Sequence, residues 1–260
     1  MSELNALFRK RIGFPENEEI TFEALDIILE KTAKNIPFEN LCILEKKTSD
    51  ITKENLINKI LVKKEGGLCY ELNSILYFFL IENGFNAVLA RGVIFENATQ
   101  NYLTLGRTHV TILVNHEDQQ YLIDTGFGGN LPLKPVPLSG EPITSNNGEF
   151  RIKKVNSEHG NYVLEMKLKH KNIAWKIGYA FDSKKPIHDV SEFNEIQTII
   201  AEHQESPFNK KPIITRLTTG GNLTLTNTSF TQWIDGIVTK EEIDNSSFEE
   251  LLKQHFDITH

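Results

Sequence analysis

KKEGGLCYELNSILYFFLIENG, residues 63–84, is the stretch from which the chain is best read. Leu72, Ile75, Leu76, Phe79 and Leu80 recur three and four apart, the spacing of one helix face, and Gly84 suits the C′ position that closes a helix. Gly66 and Gly67 interrupt the chain just upstream. The spacing therefore predicts a helix whose first turn holds Cys69. A sulfur there sits at the positive end of the helix among unpaired N–H groups, which favours thiolate over thiol and leaves donors for an oxyanion. A free cysteine is more commonly a small buried hydrophobe, so position alone leaves both readings open.

Upstream, TFEALDIILEKTAKN (21–35) carries Phe22, Leu25, Ile28 and Leu29 at helical spacing and stops before Pro37, and TKENLINKILVKKEGG (52–67) is a second amphipathic stretch. Residues 1–85 thus predict a helical bundle. Downstream the apolar period drops to about 2, the alternation of strands. AVLARGVIF (87–95), HVTILV (109–114), QYLID (120–124), EFRIKKV (149–155), NYVLEMKLK (161–169) and IAWKIGYAF (173–181) all show it. Four of the nine prolines fall between Pro132 and Pro142, which predicts an irregular excursion there. Residues 86–188 read as a barrel or strongly bent sheet. In residues 189–260, VSEFNEIQTIIAEHQ (190–204) predicts a helix ended by Ser206 and Pro207. ITRLTTGGNLTLTN (214–227) predicts a Gly-Gly hairpin, and SSFEELLKQHF (246–256) a helix opened by a Ser246–Glu249 capping box. The fold class is α+β in three parts.

The 260 residues are 39% hydrophobic and 24% charged, an ordinary globular composition. The net charge, 28 − 35 = −7, gathers into no long block of either sign, so nothing marks a nucleic-acid footprint. MSELNALFRKR has its positive charges after the apolar stretch, the wrong order for a signal peptide, and the longest apolar run, ILYFFLI at 75–81, is too short to span a bilayer. A cytoplasmic protein without membrane partners is expected. The two cysteines, Cys42 and Cys69, form no CxxC pair and have no histidines at zinc spacing, so no metal is expected. Oligomeric state leaves no signal.

HVTILV and QYLID flank the polar turn NHED, as in an antiparallel hairpin. If Val114 faces Gln119 or its neighbour, His109 stands opposite Asp124 or within one residue of it, on one face at the open end of the hairpin. A carboxylate-held imidazole has a fixed tautomer and a stabilised cationic form, as a base for a thiol proton requires. The pair could equally be a polar contact on a sheet rim. Joined to Cys69, it points to a Cys-His-Asp triad. TGFGG (125–129) follows directly, its glycines permitting a tight turn with Phe127 on a cleft wall; an ordinary strand-end loop is an equal reading. Cys42, in an apolar run, reads as packed. His116, His159, His170, His188, His203, His255 and His260 read as solvated.

Taken together and in order, IPFENL (36–41), GGLCYELN (66–73), the strand-opening His109, YLIDTGFGG (121–129) and SPF (206–208) followed by L-x-x-x-G-N-L-T-L resemble the arylamine N-acetyltransferase family. The resemblance runs through most of the chain. It implies a cysteine-proteinase-like fold of helical bundle (1–85), β-barrel (86–188) and α/β lid (189–260). It implies ping-pong transfer of acetyl from acetyl-CoA, through the cysteine, to an aromatic amine or hydrazine. Cys69 would be the nucleophile, His109 the base and Asp124 its orienting carboxylate. Phe38 and Phe127 match the acceptor-pocket aromatics, Gly106, Gly126 and Gly128 match positions where backbone runs close to CoA, and Ser206 falls near the nucleotide end.

Two departures stand out. The family's arginine before the two glycines, normally paired with the glutamate that is Glu39 here, is replaced by Glu65, with Lys63 and Lys64 upstream. Two acidic side chains would then face each other unless a lysine swings in. TTGGN also replaces the usual proline and arginine in the late hairpin. A papain-like hydrolase with the same triad, and a non-catalytic CoA-binding protein spoiled by Glu65, are the competing readings. The TGFGG loop favours the transferase, and a mixture of acetyl-CoA and an arylhydrazine separates it from the hydrolase, which would leave the hydrazine unacetylated.

Overall fold

The computed structural model describes residues 1–258; His260 lies outside them. Three main helices build the N-terminal part, Glu3–Ile12, Leu25–Asn35 and Cys69–Glu82. The Ser2 side chain accepts from the Asn5 amide at the start of the first, and Gly13, at φ 66°, closes it in the left-handed conformation that glycine adopts without strain. The second helix begins at Leu25 rather than at Phe22, whose ring instead stacks on His116 with centroids 4.0 Å apart. Lys53–Leu56 runs into a π-helical turn, Ile57–Val62, that the sequence pattern did not reveal. Phe8 and Phe79, both fully buried, stack at 4.4 Å and tie the first helix to the helix of Cys69.

Nine antiparallel strands make the central sheet. Its hydrogen-bonded path runs Val136–Pro137, Gln119–Ile123, His109–His116, Asn86–Glu96, Lys176–Phe181, Gly160–Leu168, Gly148–Ser157, Ile143–Ser145, and Asn101–Tyr102 pairs beside Asn86–Glu96. The sheet curls until Val136–Pro137 comes beside Gly148–Ser157, an almost closed barrel. That short strand lies within the proline-rich stretch read as strandless. Along His109–His116 the faces divide cleanly. Val110, Ile112 and Val114 join the core shared with the helices, whereas Leu113 points into the barrel with Leu122, Phe150, Leu164 and Phe181. With a two-residue side-chain period, His109 and Thr111 share the barrel-side face of Leu113.

Gly221–Thr226 pairs with Ile213–Leu217 as the predicted hairpin, but the sheet has five strands. Ser229–Ile234 and Ile237–Glu242 extend one edge, and Phe38–Glu39, from the distant IPFENL segment, forms the other. The Phe193–Glu202 helix packs Phe193, Ile196 and Ile200 into the helical core. The last helix, Asn245–Phe256, buries Phe248, Leu252 and Phe256 against the five-stranded sheet. Its N-cap is Asp244, whose carboxylate accepts from the Ser247 amide, so the Ser246–Glu249 box does not form. Aspartate captures the free amide two residues before the expected cap. No helix among the described residues is long and apolar enough to cross a membrane.

Emptying the ring space between the first helix and the helix of Cys69 tests this packing. Phe79→Ala is expected to lower the unfolding free energy by about 3–5 kcal/mol, whereas Ile173→Ala, at a side chain that is 99% exposed, should change it by less than about 0.5 kcal/mol. Denaturant titration of the two variants measures both.

Candidate functional site

Cys69 is the first residue of its helix, preceded by extended Leu68. Glu71 reaches back to accept from the Leu68 amide at 3.0 Å, and the Glu71 amide turns to the Leu68 carbonyl. The Cys69 and Tyr70 amides precede Glu71, the first amide that donates within the helix, so the positive end of the helix lies beside the sulfur. Sγ is 3.5 Å from the Thr108 carbonyl oxygen, and the residue is 7% exposed. The nucleophile candidate is therefore sheltered but reachable from one side.

His109 meets Asp124 with Nε2 2.7 Å from Oδ2. Their registry differs from the one expected. Ile112 pairs with Ile123 and His116 with Gln119, a tighter turn than NHED suggests, so the ladder continues to place Asp124 across from Thr111. The slip is two residues, an even number, and leaves both side chains on one face. Contact is thus diagonal and is completed by the side chains. The Cys69 sulfur is among the groups that raise the His109 pKa; because Nε2 is engaged by Asp124, Nδ1 is the ring nitrogen left to face it.

Asp124 is fully buried and accepts four hydrogen bonds. Oδ2 takes those of His109 and of the Tyr179 hydroxyl (2.8 Å); Oδ1 takes those of Asn73 Nδ2 (2.9 Å) and the Gly126 amide (2.8 Å). Burial would raise its pKa, but the imidazolium and these donors hold it below the usual carboxylate value. Burial would likewise depress His109, yet the Asp124 charge, its hydrogen bond and the Cys69 sulfur carry it up to about 10. The imidazolium is accordingly the favoured form at neutral pH.

Sequence reasoning missed Asn73 and Tyr179. Asn73 follows Cys69 by one helical turn, so i, i+4 spacing put both on one face; its Oδ1 also accepts from the Thr125 amide at 2.9 Å. Tyr179 is aimed by a bulge at Gly178, between Ile177 and Tyr179, and its ring packs 4.3 Å from that of His109. A glycine within a strand is the signal that could have disclosed the bulge. A Cβ at Gly178 would come within 2.9 Å of Phe127, so the bulge also seats that ring.

A cavity of about 240 Å³ opens over Cys69 and His109. Phe38, Phe127, Phe208, Leu105, Ile94 and Ile200 give it a nearly all-apolar wall. Phe38 and Phe127 stand on that wall beside Cys69 and His109. Gly126 also lines it, but its amide is committed to Asp124 and a Cβ there would lie 2.5 Å from Cys69 Cα. Gly128, at φ 58°, belongs to an adjoining open groove with Gly129, Asn130 and Lys171. Gly106 and Ser206 line neither space. Gly106 forms a turn at φ 71°, and the buried Ser206 hydroxyl accepts from the Phe208 amide. Their neighbours Leu105 and Pro207 face the cavity instead. Among the described residues no group of His, Cys, Asp and Glu is arranged to hold a metal. Several histidines read as solvated have ring partners: His159 lies 4.1 Å from Tyr102 and His255 4.8 Å from Phe230. Cys42 is half-buried, and burial pushes its thiol up to about 12.

The N-acetyltransferase family profile matches residues 21–259. An uncharacterised acetyltransferase, YvcN of Bacillus subtilis, is 40% identical over 248 residues, 95% of each chain. Arylamine N-acetyltransferase C of Bacillus anthracis superposes with a TM-score of 0.94 at 42% identity, covering 100% of both chains. An arylamine N-acetyltransferase of Bacillus cereus, described as having a unique Cys-His-Glu catalytic triad, superposes with a TM-score of 0.95 at 41% identity and 100% coverage of both. In this chain the carboxylate that meets His109 is that of an aspartate, Asp124.

The paired shifts set a pH window for stability. His109 is raised from 6.5 to about 10, so its contribution is complete below 6.5 and drains away as pH climbs through 10. Asp124 is lowered from 3.8, so its contribution is present above that value and is lost as pH falls through the folded one. Unfolding free energy should therefore decline on both flanks of a mildly acidic plateau. In Asp124→Asn both flanks should flatten, which denaturant midpoints measured across pH will show.

Proposed function

The chain belongs to the arylamine N-acetyltransferase family, and on that footing we propose that it moves acetyl from acetyl-CoA to an aromatic amine or hydrazine through an acetyl-Cys69 intermediate. The observation that carries this reading is the sulfur at a helix start, beside a carboxylate-held imidazolium, on the floor of an apolar, aromatic-walled cavity. In the first half-reaction the Cys69 thiolate attacks the thioester carbonyl. The carbon–sulfur bond to CoA breaks, and the departing thiolate takes the proton from His109. In the second, the amine nitrogen attacks the acetyl-cysteine carbonyl and gives its proton to His109 as the bond to Cys69 breaks. The imidazolium–thiolate pair is then restored.

Asp124 keeps one tautomer of the ring and balances its positive charge, while Tyr179 and Asn73 keep Asp124 in place. The Cys69 and Tyr70 amides are the proposed oxyanion donors in both steps. Phe38, Phe127 and Phe208 offer flat apolar contact to an aromatic acceptor. The groove at Gly128 and Gly129 is the proposed approach for CoA, with Gly126 shaping the passage to sulfur; Gly106 and Ser206 would act through Leu105 and Pro207. The apolar wall favours this reading over a hydrolase, which must admit water to the acyl-enzyme. We place the protein in the cytoplasm, where reduced thiols and acetyl-CoA coexist, and keep the division at residues 85 and 188 as the proposed domain scheme.

Mixing the protein with acetyl-CoA alone should add about 42 Da, one acetyl group, to a single cysteine. Peptide mapping should find it on Cys69, and Cys69→Ala should take up none. Asp124→Asn should keep the fold but slow acetylation by about 10⁴-fold, by analogy with a serine protease that loses its tautomer anchor. Acetyl on Cys42, or full activity of either variant, would refute the assignment.

A further inference from the structure

The cysteine loop rests on a buried cluster of charge whose cation comes from an unexpected position. Glu39 and Glu71 are 2% and 3% exposed. Lys59 Nζ lies 2.6 Å from Glu71 Oε1, 3.7 Å from Glu39 Oε1 and 3.2 Å from Cys42 Sγ. Neither Lys63 nor Lys64, the lysines beside Glu65, forms an ion pair among the described residues. Lys59 belongs to the π-helical turn Ile57–Val62, in which the Lys63 amide reaches back five residues to the Asn58 carbonyl. One extra residue in a turn changes which side chains the helix aims inward, and such turns recur at functional sites.

Each carboxylate that Lys59 holds has its second oxygen on a backbone amide next to the site. Glu39 Oε2 accepts from Leu41 at 2.6 Å, and Glu71 Oε2 from Leu68, the residue before Cys69. Gly66 and Gly67 are clamped between the two. A Cβ at Gly66 would lie 2.1 Å from the Pro37 oxygen and 2.8 Å from Glu39 Cγ, and one at Gly67 would lie 2.8 Å from Glu71 Oε2. The Glu39 amide donates to Gly67 O and the Gly67 amide to Pro37 O, which laces the cysteine loop to the strand of Phe38. Phe38 and Cys69 both line the cavity. One ammonium thus fixes the acceptor wall relative to the nucleophile.

We propose that Lys59 is a positioning residue for acetyl transfer, its ammonium bridging Glu39 and Glu71 so that Cys69 and Phe38 keep a fixed separation in place of a cation at position 65. The proposal rests on the acetyltransferase reading for its substrate chemistry, but its mechanical content is tested without a donor. Without Lys59 two buried carboxylates would face each other unneutralised, and one must move or take up a proton. Burial already pushes the Glu39 carboxyl up, and Glu71 adds to this.

The test follows the rate of Cys69 acetylation by acetyl-CoA, and of its alkylation by iodoacetamide, by intact mass. Lys59→Met should slow acetylation on the order of 100-fold, the size of effect expected from a misplacement of about 1 Å, and should also slow alkylation. Lys59→Met/Glu65→Arg, which returns a cation from position 65, should recover most of both rates, as should Lys59→Arg. Lys63→Met should match the parent chain. Parent-like rates in Lys59→Met, or a folded double variant no faster than the single one, would overturn the proposal. If Lys59→Met does not fold, the double variant decides: folding with near-parent rates supports relocation of the charge, and misfolding overturns it. Failure of the parent chain to take acetyl would count against the function instead, since alkylation still reports on Lys59.

Discussion

Everything at the site depends on one carboxylate that has no access to water. Asp124 sits at the end of a barrel strand, where burial alone would protonate it, and four donors from four parts of the chain keep it charged. Asn73 comes from the helix of Cys69, His109 from the neighbouring strand, Tyr179 from across the barrel and Gly126 from the loop that follows. Satisfying this charge therefore docks the helical core onto the barrel. The fold is obliged to bring the helix start of Cys69 to the imidazole because both are tied to the same pair of oxygens.

That constraint explains why glycine matters at position 126. The amide must reach Asp124 Oδ1 while the α-carbon passes so near Cys69 that a methyl group would overlap its Cα. Gly178 plays the matching part across the barrel, breaking the strand register so that Tyr179 can turn to the carboxylate and Phe127 can lie over the bulge. Backbone made bare at two points lets Cys69, His109 and the aromatic wall of the cavity occupy one small volume. These two glycines serve close approach; Gly126 takes no left-handed turn, unlike Gly106 and Gly128.

The legible parts of the sequence were those where local periodicity and tertiary packing agree. The apolar face from Leu72 to Leu80 and the β-rich run at 109–114 each fixed an element, although the strand proves to be buried on both faces, between two cores. The His109–Asp124 contact was found with the wrong register because a two-residue slip preserves the face, and the face is all that alternation reports. What stayed hidden was non-local. Nothing in the two residues Phe38 and Glu39 announces a strand that pairs with Ile213–Leu217, and a π-turn has no apolar period of its own. For the same reason the lysine nearest in sequence to Glu65 was the wrong one to consider. Charge balance requires a cation near the buried glutamates but leaves the chain to supply it from any element within reach.

The Bacillus cereus relative has a Cys-His-Glu triad, whereas in this chain the imidazole meets an aspartate. What the imidazole requires is a buried, ionised oxygen at hydrogen-bond distance, and a glutamate can meet that requirement with one more methylene. In the present chain the extra length has nowhere to go. Oδ1 is pinned by Asn73 and the Gly126 amide, Oδ2 by Tyr179, and the residues that supply those bonds are themselves packed against Cys69 and His109. A longer acid would have to surrender some of these donors or displace the ring towards the sulfur. The fit of an aspartate at position 124 is thus a property of the whole donor set around it, Asn73, Tyr179 and the turn at Gly126 together.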